Sequence, residues 1–303
     1  MEDSPLFDIR HLTVAFQKNG SAIPVVDRAS FFIEKGEILA IVGESGCGKS
    51  QLALALAGLS PKQAIVDKNI ISKPDLTISM IFQEPLSALN PVITIGEQIR
   101  EALRFPKDKK SNRTSVIDLL ESVGITDAGN KYKNYPHEFS GGMRQRVLIA
   151  IAMAREPDLL LADEPTTALD VTVQRQILDL LKDINQNRGL SIVFITHDLT
   201  LLPSLADRIM VMYAGKIVET GRVESVTLYP KHPYTKRLLS AAKLQKTDDG
   251  LYESIPGVVP APEDFPQGCR FSTRCEFAKD ECHTTEPEWT EENGHGWACP
   301  YGD

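Results

Sequence analysis

Residues 43–50, GESGCGKS, constrain the fold of this chain more than any other stretch. They follow the apolar run 38–42 and precede 51–57, so the pattern predicts a strand, a phosphate-binding loop and a helix. The glycines let backbone N–H groups approach an anion, and the N-terminus of the following helix favours negative charge. Lys49 is expected to reach the outer phosphates of a nucleotide and Ser50 to ligate Mg²⁺. The residues expected at the nucleotide are Gly43, Ser45, Gly46, Cys47, Gly48, Lys49, Ser50 and Gln51.

Length and charge limit the classes of protein to consider. The chain has 303 residues, enough for one large domain with an appendage or for two domains. Its net charge of -8 argues against broad nucleic-acid binding, which usually needs a basic face. No stretch approaches the roughly 20 apolar residues that cross a bilayer, and the N-terminus does not begin a signal peptide. A cytoplasmic chain is therefore expected, with any membrane role exerted through partners.

A second anion-binding helix start is predicted at residues 140–142, Ser-Gly-Gly. These small residues precede the apolar helical run 147–154, and a helix N-terminus favours negative charge. Because one phosphate loop already holds a nucleotide, Ser140, Gly141 and Gly142 suggest that a second copy of the protein completes the site.

Polar residues follow three predicted strands, where α/β folds bind ligands. Asp163 and Glu164 end the buried strand 159–163, so Asp163 is expected in the Mg²⁺ shell and Glu164 is expected to orient or deprotonate a water. An acidic helix-capping turn is the alternative for this pair. His197 follows the strand 190–196 and is a candidate sensor of the γ-phosphate, at the same edge as Gln83.

The chain before the phosphate loop is expected to form a small antiparallel sheet from 6–14 and 31–42, and 62–74 is expected to be irregular. Phe16 is placed on the connection in that sheet. Its ring either stacks on adenine or belongs to the core.

Taken in order, GESGCGKS, Gln83, FSGGMRQR, LLLADEP, TALD and ITHD resemble the motifs of ATP-binding subunits of ABC transporters over residues 6–228. The resemblance implies an α/β P-loop NTPase cassette, with a RecA-like parallel core, an antiparallel β subdomain and a helical subdomain near 84–156. The cassette would span 1–231 and a small metal-stabilised extension 232–303.

The resemblance also implies roles for matched residues. Two subunits would sandwich each ATP head to tail, between the phosphate loop of one and Ser140, Gly141 and Gly142 of the other. Phe16 would stack on adenine, and Asp170 would contact the partner across the dimer. Glu164 would be the catalytic base, His197 the γ-phosphate contact and Gln83 the ligand of Mg²⁺ and water.

The C-terminal stretches 229–239, 255–257 and 268–275 are similar to the extension of oligopeptide, dipeptide and nickel uptake ATPases, most of all the first of their two ATPases. This similarity implies a paralogous ATPase as dimer partner, two transmembrane permease subunits, an external solute-binding protein and a place on the cytoplasmic face of the membrane. The implied function is ATP-driven uptake of peptides. Nickel or other metal complexes, antimicrobial peptides and a non-transport ABC ATPase remain alternatives.

Four cysteines crowd the C-terminal stretch with the spacing C-x5-C-x6-C-x16-C: Cys269, Cys275, Cys282 and Cys299. In a reducing compartment such a group suggests a metal before disulfides. Four thiolates suit Zn²⁺ or a [4Fe–4S] cluster, and free thiols are the third alternative. The family resemblance favours the [4Fe–4S] cluster.

Overall fold

The computed structural model describes residues 5–72, 75–105, 109–167, 169–242 and 255–302. Residues 1–4, which entered the signal-peptide prediction, and 73–74, which end the segment expected to be irregular, lie outside these ranges. The chain divides into two compact units. The first joins Met1–Lys73 to Phe194–Asp303, and the second is Pro74–Val193.

The strands, in chain order, are β1 (Phe7–Lys18), β2 (Ser21–Ile33), β3 (Ile38–Val42), β4 (Ala64–Ser72), β5 (Ile78–Ile81), β6 (Leu159–Asp163), β7 (Ser191–Thr196), β8 (Arg208–Tyr213), β9 (Lys216–Arg222), β10 (Thr290–Glu292) and β11 (His295–Trp297). The helices are α1 (Lys49–Ala57), α2 (Pro85–Ala88), α3 (Ile95–Ala102), α4 (Lys109–Ser122), α5 (Ala128–Lys131), α6 (Gly141–Met153), α7 (Val171–Arg188), α8 (Leu202–Leu205), α9 (Val223–Leu228), α10 (Pro233–Ala242) and α11 (Asp280–Thr284). Within the described ranges, none of the helices has the length and apolar character that crossing a bilayer requires.

The first unit contains a three-stranded antiparallel sheet in the order β2-β1-β4. Phe7 lies opposite Ile33 on β2 and opposite Ser72 on β4, so β1 is the central strand. The prediction of an antiparallel sheet before the phosphate loop is confirmed for β1 and β2. The extent expected for its second strand, 31–42, is wrong, because β2 begins at Ser21 and ends at Ile33, whereas Ile38–Val42 is a separate strand in the other sheet. The prediction that 62–74 is irregular is wrong for 64–72, because this segment pairs with β1 over most of its length.

The first unit also contains the strands that carry the phosphate loop. β3 is fully buried and pairs in parallel with β8, with Leu39 opposite Arg208. β9 is antiparallel to β8, and β11 extends the sheet from β9, with Gly296 opposite Thr220. The C-terminal tail, residues 232–303, therefore adds two strands, β11 and β10, to the sheet from which the phosphate loop begins.

Three aromatic rings form the centre of the core between this sheet and the tail. The ring centroid of Tyr213 at the end of β8 lies 4.6 Å from that of Tyr234 in α10 and 5.2 Å from that of Phe271. All three side chains are almost completely buried. Burial of rings of this size supplies a large share of the stability that attaches the tail.

The second unit contains the parallel pair β5 and β6, with Ile78 opposite Leu159, and the helices α2 to α7. β7 crosses the boundary between the units. The long helix α7 begins where the Asp170 carboxylate accepts a hydrogen bond from the Val173 N–H, and it ends at Gly189, whose φ is +62°. Both ends follow the usual capping chemistry of helices.

Candidate functional site

The phosphate loop connects β3 to α1, as its sequence predicts. Lys49, the first residue of α1, is 5% exposed. Its ammonium group donates to the carbonyl oxygens of Gly43 at 2.8 Å and Glu44 at 3.0 Å. These bonds fold the loop around the lysine, so the cation is already positioned at the start of the helix.

Two glycines of the loop are required by its close packing. A Cβ on Gly43, where φ is +154°, would lie 2.2 Å from the Met212 carbonyl oxygen. A Cβ on Gly48, where φ is +102°, would lie 2.6 Å from the Val25 carbonyl oxygen. Gly46 has a φ of +80° but open space around it, so only its backbone conformation favours glycine there. The loop is thus held against two neighbouring backbones.

Cys47 is completely buried within the loop, whereas Ser45 and Gly46 are exposed. Burial raises the pKa of the Cys47 thiol, so it is neutral at physiological pH. Its carbonyl oxygen accepts from the Gly215 N–H at 2.9 Å. The Cys47 side chain therefore packs the loop from inside. Ser50 and Gln51 follow Lys49 in α1 and are both half-buried.

In the second unit, the structure brings Gln83 and Glu164 together. The Gln83 amide donates to the Glu164 carboxylate at 3.1 Å, and the Thr167 hydroxyl donates to the same oxygen at 2.9 Å. Glu164 has a φ of +46°, in the left-handed region that non-glycine residues seldom adopt. Such strain is found most often where a side chain must be aimed, which fits a functional carboxylate. Asp163, the residue before Glu164, ends β6 and is buried.

The small-residue segment at 140–142 opens α6, as predicted. The Ser140 hydroxyl oxygen accepts from the Met143 N–H at 3.3 Å and caps the helix. Ser140 and Gly141 are exposed, while a Cβ on Gly142 would lie 2.4 Å from Val173. Asp170 is likewise exposed and caps α7.

Two predicted site residues of the first unit, His197 and Phe16, differ in their exposure to solvent. His197 follows β7 directly and is exposed. Phe16 lies within β1, opposite Ile23 on β2 and Ala64 on β4, and is half-buried. The prediction that Phe16 lies on a connection is therefore wrong, because β1 runs to Lys18, four residues beyond the end expected for the first strand, and β2 begins at Ser21. The contact of Phe16 with adenine stays a prediction.

The four tail cysteines line one cavity of about 350 Å³, which we call the thiol cavity. Burial, and then the nearby cysteines, raise the pKa of Cys269 and Cys299 to about 11. Burial also raises the pKa of Cys275. Within the part of the chain that the structure describes, no three His, Cys, Asp or Glu side chains are arranged to hold a single metal ion. The four cysteines therefore line the same cavity, and a metal held by them stays a prediction.

His232 also lines the thiol cavity, and sequence reasoning missed it. Its Nδ1 accepts from the Tyr234 N–H at 3.1 Å, which puts the ring proton on Nε2. Burial lowers the pKa of His232 to about 3, so the ring is neutral. Its Nε2 and the Ser272 hydroxyl are buried and have no hydrogen-bond partner among the described residues. These are two polar groups at the cavity that a bound group with acceptor atoms would satisfy.

Glu219 is a second missed residue. Its side chain is fully buried in β9, where it accepts from the Lys231 N–H at 2.7 Å and the His232 N–H at 2.9 Å, and lies 2.7 Å from His295 Nε2.

The tail residue Arg274 was missed as well, although it contacts Glu44 of the phosphate loop. The only sequence signal for Arg274 was its place beside Cys275.

Comparisons with known proteins agree with this arrangement. The sequence profile described as ABC transporter matches residues 26–167, and that described as oligopeptide/dipeptide transporter, C-terminal region, matches residues 218–282. The chain is 45% identical to the oligopeptide transport ATP-binding protein AppD of Bacillus subtilis (strain 168), over 98% of this chain and 96% of that protein. It is 43% identical to the dipeptide transport ATP-binding protein DppD of Escherichia coli (strain K12), over 93% and 92%.

A solved structure shares the fold. The dimeric ATP-binding cassette MJ0796 in a post-hydrolysis state, bound to ADP and phosphate, superposes with a TM-score of 0.61 at 26% identity. The superposition covers 72% of this chain and 98% of that one. The predicted α/β cassette fold is therefore confirmed.

Proposed function

The chain belongs to the ABC transporter family of ATPases, and from that membership we propose that it powers a peptide importer. One observation supports peptides as the class of transported solute. The C-terminal profile of oligopeptide and dipeptide transporters matches residues 218–282, a region that exporters and soluble ABC ATPases are not expected to carry. The names of the two relatives, an oligopeptide and a dipeptide transport protein, support the same class. Metal complexes and antimicrobial peptides are the alternative solutes.

In the proposed reaction the phosphate loop binds the ATP phosphates through its backbone N–H groups and through Lys49. Ser50, Asp163 and Gln83 would hold Mg²⁺, which when bound supplies charge neutralisation at the phosphates. Glu164 accepts a proton from the attacking water. Its hydrogen bonds from Gln83 and Thr167 support this role because they fix the direction of the carboxylate.

The remaining site residues are proposed to act in a dimer. Ser140 and Gly141 are exposed at the start of α6, where the backbone N–H groups of the first turn favour an anion. We propose that they meet the γ-phosphate bound by the paralogous ATPase. His197 would contact the γ-phosphate, and Asp170 would contact the partner subunit. Phe16 would stack on adenine. The pair of ATPases would dock on two permease subunits at the cytoplasmic face of the membrane and be supplied by an external binding protein.

For the thiol cavity we propose a [4Fe–4S] cluster, with Zn²⁺ as the alternative. Soft thiols are the donors such a cluster requires, and all four line one cavity. The buried Nε2–H of His232 supports the proposal because a sulfide or thiolate would accept its hydrogen bond. Since the raised pKa values keep Cys269 and Cys299 protonated at neutral pH, metal binding would release their protons.

Two experiments test these proposals. The chain is co-purified with its permease subunits and binding protein, and ATP hydrolysis is measured in proteoliposomes with di- and oligopeptides. Stimulation by peptides is expected, whereas stimulation by nickel complexes alone would contradict the peptide assignment. Separately, iron, sulfide and zinc are quantified in anaerobically purified protein and in the Cys275→Ser variant. Protein without stoichiometric iron and without charge-transfer absorption would rule out the cluster.

A further inference from the structure

The C-terminal tail reaches the phosphate loop through Arg274. Its guanidinium group binds the Glu44 carboxylate with two parallel bonds, from Nη1 to Oε2 at 2.7 Å and from Nη2 to Oε1 at 3.1 Å. The Arg274 side chain is 3% exposed and that of Glu44 is 27% exposed. A two-pronged pair shielded from water in this way is both stronger and more directional than a surface ion pair.

The position of Arg274 is fixed by the tail itself. Its Nε donates to the Pro256 carbonyl oxygen at 2.7 Å, and its Nη2 donates to the Ile255 carbonyl oxygen at 3.1 Å. Nη1 also donates to the Tyr213 hydroxyl at 3.3 Å. The two carbonyl bonds hold the guanidinium group from the tail, and the Tyr213 bond ties it to the end of β8, so Glu44 pairs with a group that is also fixed by other contacts.

A second tail residue holds the main chain of the same loop residue. The Tyr234 hydroxyl oxygen accepts from the Glu44 N–H at 2.9 Å, and the Tyr234 side chain is completely buried. Its ring packs against Tyr213 and against Phe271 of the tail at a centroid distance of 5.4 Å. The side chain and the backbone of Glu44 are therefore both attached to the tail.

Glu44 occupies a sensitive place in the loop. It lies between Gly43 and Ser45, and its own carbonyl oxygen accepts from Lys49. Its carboxylate adds a negative charge next to a site for phosphates, and Arg274 neutralises that charge. Holding Glu44 in place also reduces the ordering that nucleotide binding would otherwise require. Both effects favour ATP binding.

We propose that Arg274 and Tyr234 are positioning residues of the phosphate loop, through which the C-terminal tail sets the affinity of the loop for nucleotide. The inference rests on the proposed ATP-binding role of the loop. It assigns to the tail a function separate from whatever the thiol cavity holds.

The test measures binding of Mg-ATP to the full-length chain by isothermal titration calorimetry, with thermal unfolding as a check on folding. Arg274→Met is expected to raise the Kd about tenfold, the effect of one charge-assisted hydrogen bond. Arg274→Lys keeps the charge but loses the fork, so about a threefold rise is expected. Tyr234→Phe, which leaves the Glu44 N–H without its acceptor, is expected to raise the Kd about three- to tenfold. In hydrolysis assays KM is expected to rise with Kd while kcat falls much less.

Glu276→Gln is the matched control. Glu276 is the other neighbour of Cys275, and its carboxylate pairs with Arg237 at 2.5 Å instead of with the loop. The Kd of the Glu276→Gln variant for Mg-ATP is expected to equal that of the wild type. An equal rise in Glu276→Gln and Arg274→Met would assign the effect to disturbance of the cysteine segment and overturn the proposal.

Glu44→Gln breaks the same contact from the loop and keeps the inference testable if Arg274→Met does not fold. Its Kd is expected to rise less than that of Arg274→Met, because the variant also removes the negative charge beside the phosphates. The double variant Glu44→Gln/Arg274→Met is expected to bind ATP no more weakly than the weaker single variant, because both remove one interaction. Additive losses, or a wild-type Kd in Arg274→Met, would overturn the positioning role. Failure of the wild-type chain itself to bind Mg-ATP would instead refute the proposed function.

Discussion

Replacing Glu219 with Gln tests how the tail is attached to the phosphate-loop sheet. One carboxylate oxygen accepts from the Lys231 N–H and lies at hydrogen-bond distance from His295, and the other accepts from the His232 N–H. An amide offers one oxygen and one NH₂ group in their place. In either orientation of the amide, its NH₂ group faces at least one backbone N–H, that of Lys231 or that of His232, and these two donors cannot bond to each other.

The size of the effect follows from this count. The less costly orientation keeps the oxygen on the side of Lys231 and His295 and loses the bond from the His232 N–H. Loss of one charge-assisted bond in a fully buried place costs about 1.5–3 kcal/mol, and the two remaining bonds weaken because the acceptor is neutral. We expect Glu219→Gln to lower the free energy of unfolding by about 2–4 kcal/mol, or the melting temperature by about 4–16 °C.

Thermal unfolding of the full chain, followed by tryptophan fluorescence under anaerobic reducing conditions, measures this loss. Trp297 is a local reporter, since its ring lies 5.6 Å from that of His295 and 5.4 Å from the Lys231 ammonium group. Glu224→Gln, a change at an exposed position in α9, is the control and is expected to have little effect. A Glu219→Gln protein within about 0.5 kcal/mol of the wild type would refute the reasoning, because surface substitutions produce changes of that size.

Three further predictions concern the loop, the base and one ion pair. Glu164→Gln is expected to keep ATP binding and to slow turnover about 10²- to 10⁴-fold in a phosphate-release assay, and normal turnover would remove Glu164 as the base. Gly43→Ala places a Cβ 2.2 Å from a main-chain oxygen, so it should weaken nucleotide binding far more than Gly46→Ala, measured by calorimetry. Burial alone would raise the pKa of Asp27, but the hydrogen bond and charge of Lys216 lower it below the ordinary value of 3.8. The stability from Asp27 is therefore present above that value and lost as the pH falls through the lower folded pKa. In urea unfolding, Asp27→Asn should cost about 1.5–3 kcal/mol at pH 7 and progressively less below about pH 4; a constant difference would contradict the assignment.

The parts of the fold that sequence predicts well have strong local signals. The buried run of β3, the glycines of the loop and the cap at Ser140 each act within a few residues, and the structure has them where the patterns place them. The ordered motifs also predicted the family and the cassette fold, which the comparisons confirm. The roles of individual site residues, the dimer and the boundaries at 84, 156 and 231 stay predictions.

The failures have nonlocal causes. Residues 64–72 lack a regular alternation of apolar and polar side chains, and the residues they pair with lie 48 to 65 positions earlier, from Phe16 opposite Ala64 to Phe7 opposite Ser72, so only pairing with β1 reveals the strand. The thiol cavity could be anticipated from cysteine count, whereas the buried acceptor Glu219 could not, because a carboxylate in a strand usually faces solvent. Arg274 and Glu44 are 230 residues apart, beyond the reach of any local pattern.

The pairing of Glu44 with Arg274 sets an order of events during synthesis. The loop is made in the first sixth of the chain, but the residue that holds it emerges 230 residues later, about 10–50 s at ordinary rates of translation. The pairing of β3 with β8 likewise forms only after residues 208–213 have been made. A nascent or prematurely terminated chain therefore carries the complete GESGCGKS motif without the support that shapes it, so the capacity to bind nucleotide tightly arises only once translation is nearly finished.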